Sequence, residues 1–566
     1  LLTRLPETPE QAEANVQTLE NAELIEPKQL LPELVYRFKH ALTQEVAYLS
    51  LLKRMRKKLH QRIGLVVEEF YKDRLPEFYE VLAYHFSRGE KWPKALEYLI
   101  RAGRKASDSF AIHDAIALYD QALGAAVSLG DRLQPRTIME IHKAKSDLFF
   151  VISEYRAARA EGSRLLELAR QSGDRMMEGM AQAIMGWTAS YVHEFEQALE
   201  DADHAIEIGQ ETGKKSVMAR GHIIKGHVYS VTGRIFEARP ELETALAISR
   251  SNQDEINQAA ALRVTGLGKS WEGKFSEGAA HLLEGIQIAQ RHNLAGVLIQ
   301  CYFGYGIVLT GNGEYEKAFP IFREGLELAD KIGEEAYHFR LLNGLGWLLS
   351  ECGDLSNALK YNHKSAELGR KRGDPEIVAN AELNLADIRL LQAEFSRARK
   401  HLDTVQRIVE DPSTREWMKW RYTIHLYASY GEFRLASGDL TKAEQLAELC
   451  IQRAKDTASR KYLVKGLRLM GKICRRRSKL GASVGWLQQA VDSAQVIGNP
   501  TQLYTSLYAL GRTQEKARQP ALARKSFDAA RRVVRETGER LPNEGLREKF
   551  GRLPDVEKIS DAGNNH

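Results

Sequence analysis

The first candidate for chemistry in this sequence is a phosphate-binding loop of the form G-x-x-x-x-G-K-[ST]. Gly268, Lys269 and Ser270 supply its last three residues, and in such loops the backbone amides and the lysine cradle nucleotide phosphates. The first glycine is missing, because the residue at its position is Arg263. In the stretch 209–216 the two glycines stand one residue too close together. We therefore interpret neither stretch as a nucleotide site.

Other patterns typical of catalysis are also missing. We find no H-E-x-x-H zinc motif, no nucleophile elbow and no paired metal-binding cysteines. His193, Asp201, Asp203 and His204 lie close together in the sequence. They could hold a metal, but on a long helical hairpin such groups usually form a solvated face. We predict that this chain by itself is not an enzyme and holds no cofactor or metal.

One basic run, Lys53–Lys58, could contact phosphate or nucleic acid. The alternative, which we favour, is a solvated helix face. The net charge of +6 is small for 566 residues. Nucleic-acid binding by this chain is therefore not expected.

Length and composition indicate a large folded protein. A chain of 566 residues exceeds the size at which one hydrophobic core stops growing, so it needs several domains or a repeat array. Its 28% charged and 43% apolar residues are typical of a folded chain. It has scattered cysteines, no signal peptide and no apolar run of about 18 residues, so we expect a cytoplasmic protein without a membrane segment. The start at Leu1, without a methionine, suggests a fragment of a longer protein.

Three series of small residues repeat along the chain in a register of 40 residues. The first is Gly186, Gly226, Gly266, Gly306, Gly346 and Ala386, and after one step of 45 residues it continues with Gly431, Gly471 and Gly511. The second follows twelve residues later: Ala198, Ala238, Gly278, Ala318, Ala358, Ala398, Ala443, Ser483 and Ala523. The third lies between them: Gly233, Gly273, Gly313, Gly353 and Gly438. Such a register predicts stacked helical hairpins.

Each series has a physical role in a hairpin of two helices, A and B. A small residue where two helices cross lets their backbones approach, and the first series provides it on helix A and the second on helix B. Glycines of the third series supply the positive φ that ends helix A. Helix B is predicted to end at Gly173, Gly213, Asn293, Gly333, Gly373, Gly498 and Gly538.

This pattern resembles the tetratricopeptide repeat. One copy reads Gly226, Tyr229, Ala238, Leu242 and Ala245, and another reads Gly511, Ala523, Phe527 and Ala530. The usual period of that family is about 34 residues, so these hairpins carry extra helical turns; HEAT-like helix pairs rank second, because they would not explain the twelve-residue spacing. We predict an all-α fold, a tetratricopeptide-like α-solenoid (right-handed superhelix) of about twelve hairpins over 76–540, with a frayed tail over 541–566.

Residues 1–75 break the register and predict a helix, a short hairpin and a further helix. Tyr36–His40 alternates apolar and basic residues, as a half-buried strand does. This element order resembles the end of a winged-helix domain. More specifically, Tyr36–Tyr48 followed by Leu59–Ile63 resembles the segment that joins a signal-transduction ATPase to its repeat array. We therefore assign 1–75 as a winged-helix remnant and linker.

That arrangement occurs in bacterial proteins that begin with a class III adenylate or guanylate cyclase domain, and in related transcriptional regulators. The resemblance implies that this chain is the regulatory or sensor C-terminal part of a cyclase–ATPase signalling protein, with ATP and Mg²⁺ bound upstream. The alternatives are the C-terminal part of an ATPase transcriptional regulator and a free-standing adaptor. The resemblance also implies that His40 senses nucleotide phosphates, although Ala41 replaces the usual aspartate. Alternatively, His40 caps the strand and packs on the next helix.

In tetratricopeptide arrays helix A lines a concave groove that binds a protein or peptide partner. In the central repeats the resemblance places in this groove Trp187, Arg220, His227, Arg263, Phe303, Arg340, Asn343, Trp347, Asn380 and Asp387. Near the C-terminal end it places there Lys465, Arg468, Lys472, Arg475 and Arg512. Aromatic and arginine side chains are favoured binding anchors, and the basic end predicts an acidic peptide or surface as partner. The alternative is that these arginines only solvate long helices.

Overall fold

The computed structural model of the chain describes residues 9–29, 35–414 and 416–562. Within these ranges it contains 28 α-helices and one two-stranded sheet. The chain divides into two compact units, residues 1–148 with 167–172 (unit 1) and residues 149–166 with 173–566 (unit 2). None of the helices in the described ranges combines the length and the apolarity needed to cross a lipid bilayer.

Unit 1 begins with the predicted order of helix, hairpin and helix. Its elements are α1 (Pro9–Asn21), β1 (Ile25–Gln29), β2 (Val35–Phe38), α2 (Ala41–Ser50), α3 (Lys53–Phe70), α4 (Tyr79–Arg88), α5 (Trp92–Asp108), α6 (Ile112–Leu129) and most of α7 (Pro135–Val151). Short 3-10 helices cover Lys72–Phe78 and Gly130–Arg132. The two strands are antiparallel, with Ile25 opposite Phe38.

The helix α2 exposes its apolar side chains. None of its residues is buried, and Leu42, Val46 and Leu49 are 70%, 59% and 57% exposed. Leu52, just beyond its end, is 78% exposed. An apolar stripe of this kind is typical of a surface that another protein segment covers.

Unit 2 is an array of helical hairpins. Its helices are α8 (Tyr155–Ser172, shared with unit 1), α9 (Arg175–Tyr191), α10 (Phe195–Thr212), α11 (Lys215–Val231), α12 (Ile235–Ser251), α13 (Glu255–Trp271), α14 (Phe275–Arg291), α15 (Ala295–Gly311), α16 (Tyr315–Ile332), α17 (Glu335–Glu351), α18 (Leu355–Arg372), α19 (Pro375–Leu391), α20 (Phe395–Glu410), α21 (Glu416–Ala436), α22 (Leu440–Asp456), α23 (Arg460–Arg476), α24 (Leu480–Ile497), α25 (Pro500–Lys516), α26 (Pro520–Glu539), α27 (Glu544–Gly551) and α28 (Pro554–Asp561). The helices α9–α26 form nine consecutive hairpins, in which the odd-numbered helix is helix A and the even-numbered one helix B.

Small residues stand where the two helices of a hairpin cross, as predicted. A Cβ atom added at Gly226 would lie 2.5 Å from Leu242, and one added at Gly266 would lie 2.5 Å from Leu282. On helix B, Ala198 and Ala318 are fully buried. Because a larger side chain at these points would push the helices apart, the small residues fix the spacing within each hairpin.

The predicted helix ends are confirmed with one exception. All five glycines of the third series have positive φ, and so do Asn293 and the glycines predicted to end helix B up to Gly498. Gly538 was wrongly predicted to end helix B, because α26 continues through it to Glu539.

The 45-residue step lengthens one helix A, and this helix also contacts a distant hairpin. The helix α21 has 21 residues, whereas its neighbours α19 and α23 have 17 each. The indole Nε1 of Trp420, in the second turn of α21, donates a hydrogen bond of 2.7 Å to the carbonyl of Val231, at the end of α11. Hairpins far apart in sequence therefore touch.

Contacts between residues separated by a similar distance in sequence recur along unit 2. The side-chain amide of Asn499 donates to the carbonyl of Gly311, 188 residues earlier, at 2.8 Å. A Cβ at Gly273 would lie 3.3 Å from the Cβ of Arg460, 187 residues later. These turn-to-turn contacts, defined here as contacts between an A–B turn and residues about one superhelical turn later, hold successive turns together.

Residues 541–562 are ordered, not frayed. Leu541, Phe550 and Ile559 are at most 2% exposed, and Lys549 Nζ lies 2.7 Å from the Asp354 carboxylate. The prediction of a frayed tail is therefore wrong for residues 541–562, and residues 563–566 lie outside the described ranges. Pro554 occupies the first turn of α28, where proline is tolerated.

Candidate functional site: a cavity between the A helices

Seven A helices of unit 2, α9 to α21, contribute to one cavity. Its empty volume, which includes space open to solvent, is about 890 Å³. We call it the A-helix cavity. It is lined by Ser190, Tyr191, His193, His227, Ser230, Val231, Arg263, Val264, Leu267, Trp271, Phe303, Tyr337, Arg340, Glu376, Asn380, Trp420 and Arg421.

Arg263 is the most deeply buried charge in the cavity wall. Its side chain is 1% exposed, and neither Nη1 nor Nη2 has a hydrogen-bond partner in the structure. The guanidinium carbon lies 5.3 Å from the ring centroid of Trp187, at cation–π distance. The hydroxyl of Ser230 is also buried and without a partner. The cavity therefore presents two groups whose hydrogen-bonding capacity is not used.

The other guanidinium groups of the cavity are partly neutralised. Arg340 Nη2 lies 2.7 Å from Glu376 Oε2, and Arg421 Nη1 lies 3.9 Å from Glu376 Oε1. Tyr422 donates its hydroxyl to the same carboxylate at 3.0 Å. Burial alone would raise the pKa of Glu376, but the nearby guanidinium groups outweigh burial and hold that pKa below its usual value. Three guanidinium groups and one carboxylate leave the wall net positive.

Aromatic rings form much of the remaining wall. The rings of Tyr191 and His227 are stacked with centroids 5.1 Å apart, and Trp271 and Trp420 meet edge to face at 6.1 Å. Burial, followed by the charge of Arg263, holds the pKa of His227 well below its usual value, so the imidazole is neutral at pH 7. Such walls suit a ligand with an apolar or aromatic body.

The cavity offers hydrogen-bond donors rather than metal ligands. In the described ranges no group of three or more His, Cys, Asp or Glu side chains is placed to hold a metal ion. Guanidinium and hydroxyl groups surrounded by aromatic rings can orient an anion without reacting with it.

The structure brings several predicted groove residues together. His227, Arg263, Phe303, Arg340 and Asn380 all line the A-helix cavity. Trp187 lies beside it, with its ring centroid 5.1 Å from that of His227.

Other predicted groove residues of the central repeats make contacts elsewhere. Arg220 Nε donates to Asn257 Oδ1 at 3.2 Å. The amide of Asn343 is buried and donates to Asn362 Oδ1 at 2.8 Å, inside the hairpin of α17 and α18. Trp347 carries Lys461 Nζ over its ring at 3.9 Å.

The basic C-terminal end is partly compensated by acidic neighbours. Lys465 Nζ lies 2.9 Å from Asp387 Oδ2, and Lys472 Nζ lies 2.9 Å from Glu432 Oε1. The Asp387 carboxylate also accepts a hydrogen bond from His425 at 2.9 Å. Lys465 and Asp387 therefore pair with each other, and Lys472 pairs with a carboxylate of the preceding hairpin.

The three arginines at this end differ in their surroundings. Arg468 is 8% exposed and donates to Gln502 at 2.9 Å. Arg475 donates to the carbonyl of Ala509 at 3.3 Å. The side chain of Arg512 is 53% exposed.

Twelve of the 17 lining residues were not predicted as groove residues, mainly because the cavity crosses the A helices obliquely. On α9 and α11 the lining residues include the last ones, Tyr191 and Val231, whereas on α17 and α21 they stand near the beginning, at Tyr337 and Trp420. The prediction used one set of positions around the small residue of every helix. The aromatic residues at the ends of the A helices were a signal that could have extended the predicted groove to these residues.

The sequence motifs with possible chemistry lie inside helices. Ser270 of the incomplete phosphate loop is in α13 and donates to the carbonyl of Leu267 at 2.6 Å. The sequence does contain the letters G-x-S-x-G of a nucleophile elbow, at 481–485, which corrects the statement that none occurs, but these residues lie within α24 and not at a strand-to-helix turn. Their serine, Ser483, is fully buried and donates to the carbonyl of Gly471 at 2.7 Å. His40 is the N-cap residue of α2, its side chain is exposed, and it makes no capping hydrogen bond.

Comparisons with known proteins agree with the repeat type. The family model of the MalT-like TPR region matches residues 219–423, a range that includes most of the cavity wall. The regulatory protein AfsR of Streptomyces griseus is 26% identical over 213 residues, which cover 31% of this chain. The chain spans 22% of the length of that relative.

Solved structures of similar arrangement were also found. The Cut9–Hcn1 hetero-tetramer of the APC/C matches with a TM-score of 0.42 and 14% identity, over 92% of this chain and 99% of that one. The apo form of the quorum sensor NprR from B. thuringiensis matches with a TM-score of 0.43 and 12% identity, over 65% and 99%. From its own helices and the family match, the chain is a tetratricopeptide-like helical repeat scaffold, similar over part of its length to a MalT-like repeat region.

Proposed function

We propose that this repeat scaffold binds a protein or peptide segment in the A-helix cavity and catalyses no reaction itself. The observation that carries the proposal is the convergence of aromatic and arginine side chains from seven A helices on one cavity. Residues of these types dominate binding energy when they are clustered and desolvated. The cavity also lies mostly within the range that resembles a MalT-like repeat region.

A peptide-display selection against the purified chain tests this function. Selected peptides, resynthesised and titrated in solution, should bind the wild-type protein and lose at least about tenfold in affinity with Asn380→Trp, which fills the cavity. Leu283→Trp is the matched control, because Leu283 is on a helix B and 41% exposed. Peptides that bind both variants equally well would place binding outside the cavity and overturn the proposal.

We further propose that the scaffold is the sensor part of a larger regulator. The match to a regulatory protein of which this chain spans 22% supports this proposal, and so does the exposed apolar stripe of α2, which suits contact with another domain. The finer hypothesis, in which an ATPase and a class III cyclase belong to the same protein, follows from the resemblance of Tyr36–Tyr48.

The reading frame around the codon of Leu1 separates these cases. Cyclase aspartates together with a complete phosphate loop would support the cyclase–ATPase, a helix-turn-helix the transcriptional regulator, and a nearby start codon the adaptor. In a protein with an ATPase domain, His40→Ala should change the retention of bound nucleotide. Unchanged retention would remove His40 as a sensor.

A further inference from the structure

The strongest unexplained feature of the molecule is the buried guanidinium of Arg263. A charged group taken out of water is costly unless it is paired and hydrogen-bonded. Arg263 is 1% exposed, its Nη1 and Nη2 have no partner, and its nearest aromatic contact, Trp187, offers only a cation–π interaction. Arg340 differs, since Glu376 pairs with it at 2.7 Å. Arg263 is at the same time one of the residues that line the A-helix cavity.

The geometry of the unused donors selects the kind of partner. Two free Nη groups on one planar guanidinium match the two oxygens of a carboxylate, which accepts such a fork in a bidentate way. Ser230, also unpartnered and in the same wall, can donate a third hydrogen bond. Phosphate could accept from the same fork but has no apolar body to lie against the aromatic walls, so an acid with such a body fits better.

The walls beside these donors define the rest of the ligand. The stacked rings of Tyr191 and His227 form one side of the cavity. Phe303 and Trp271 also line it. A neutral His227 adds no charge to this face. An apolar or aromatic body attached to the carboxylate would lie against these rings.

We propose that the A-helix cavity recognises a carboxylate on an apolar or aromatic body, held by the guanidinium of Arg263 and the hydroxyl of Ser230. This inference rests on the proposed function and names the chemistry of the group that it binds. The carboxylate can be the C-terminus of a peptide or belong to a small organic acid. Both present the same planar anion, and the experiment separates them.

The first measurement uses small acids and their amides as probes. N-acetyl-phenylalanine and 3-phenylpropionate, each beside its primary amide, are titrated into the full chain by ligand-observed NMR. The acids should bind at least about tenfold more tightly than the amides, which keep the apolar body but lack the charge. Inorganic phosphate should bind more weakly than either acid. Equal binding of acid and amide, or tighter binding of phosphate, would overturn the proposal.

Variants of Arg263 test the assignment to this residue. Arg263→Met should remove the preference for acids, and Arg263→Lys, which keeps the charge but loses the fork, should retain only part of it. Arg220→Gln is the control, because Arg220 lies on α11 and bonds to Asn257 outside the cavity wall. Loss of the preference in the control but not in Arg263→Met would contradict the assignment.

A stability measurement separates a binding role from a structural one. In the absence of ligand, Arg263→Met should raise the melting temperature by about 1–2 °C, since it removes an unpaired buried charge. A structural arginine would give the opposite sign. A lower melting temperature together with unchanged acid binding would overturn the proposal.

Peptides from the display selection separate the two sources. If the affinity falls on C-terminal amidation in the wild type but not in Arg263→Met, the carboxylate is a peptide terminus. If amidation has no effect while the small acids bind as expected, a free organic acid is the ligand. Peptides that bind in the cavity without any preference for carboxylates would overturn this inference and leave the proposed function intact.

Discussion

Trp420 and Val231 are 189 residues apart and joined by a hydrogen bond of 2.7 Å from the indole nitrogen to the backbone carbonyl. A Cβ added at Gly233 would lie 3.0 Å from the same indole. Trp420 stands eleven residues before Gly431, as Arg460 stands before Gly471 and Pro500 before Gly511. Arg460 and Pro500 likewise approach the turns at Gly273 and Gly313. The contact of Trp420 therefore belongs to the regular register of the A helices, and it borders the A-helix cavity.

Trp420→Phe tests the strength of this contact. The variant keeps an aromatic ring but loses the N–H donor, so we expect a local loss of about 1 kcal/mol. Hydrogen exchange should accelerate by about fivefold in the turn between α11 and α12. Trp486→Phe, on a helix B of another core cluster, is the control. Equal exchange of the turn in wild type and Trp420→Phe would show that the hydrogen bond adds nothing.

Gly353 and Gly438 make a matched pair for measuring the turn-to-turn contacts. Both have positive φ, 81° and 84°, so alanine at either costs about 1 kcal/mol in backbone strain. Only at Gly353 would the new Cβ lie 2.5 Å from a backbone oxygen, that of Lys549 in α27; at Gly438 it meets nothing within 4 Å. Gly353→Ala should therefore lower the free energy of unfolding of unit 2 by more than Gly438→Ala, in denaturant titrations. Equal losses would mean that α27 does not hold its position against the turn.

The pair His60 and His85 makes the stability of unit 1 depend on pH. Their Nδ1 atoms are 2.9 Å apart, so one ring donates and the other accepts. Burial, followed by the charge of His60, lowers the pKa of His85 to about 4. In the unfolded chain this histidine takes up its proton near its usual value of about 6.5. The unfolded state therefore binds more protons between these values, and stability falls as the pH decreases from 6.5 to 4.

We expect unit 1 to lose about 2 kcal/mol between pH 7.5 and 4.5, as measured by hydrogen exchange of α3 and α4. His85→Gln should reduce this pH dependence. His113→Gln is the control, since His113 is exposed. The same pH dependence in wild type and His85→Gln would contradict the role of the pair.

Of the five basic residues predicted to bind an acidic partner, Arg475 and Arg512 remain available for contact. Lys465 and Lys472 have carboxylate partners in partly buried pairs, whereas the pair of Arg512 with Glu515, at 3.4 Å, is exposed and therefore weak. Replacing the buried Arg468 by an acidic residue would break its bonds to Gln502 and Ser506. In fluorescence titrations a short glutamate-rich peptide should bind the wild type and lose about tenfold in affinity with the Arg475→Gln, Arg512→Gln double variant. Lys472→Gln should change it little. If a neutral peptide binds as tightly as the glutamate-rich one, the partner is not recognised through its negative charge.

The repeat register could be predicted because it depends on local requirements. Gly226 faces Leu242 across one crossing, and Gly353 needs a positive φ in one turn; both needs are met within a single hairpin. The sequence also named Arg263, Arg340 and Phe303 as inward residues, because all stand on helix A at helical spacing.

The turn-to-turn contacts and the oblique course of the cavity could not be predicted in this way. They depend on the small rotation between neighbouring hairpins, which adds up over several repeats before Trp420 reaches Val231. The 40-residue spacing of the small residues does not predict the size of this rotation. The unpaired state of Arg263 is likewise visible only when all its neighbours are placed.

The link between Asp354 and Lys549, 195 residues apart, has a mechanical consequence. An open repeat array extends under tension by widening the gaps between its turns, and each repeat yields almost independently of distant ones. In unit 2 the gaps are bridged by contacts such as this ion pair and the hydrogen bond from Trp420 to Val231. We therefore expect unit 2 to resist extension while its turn-to-turn contacts are intact, and to extend easily once they have broken.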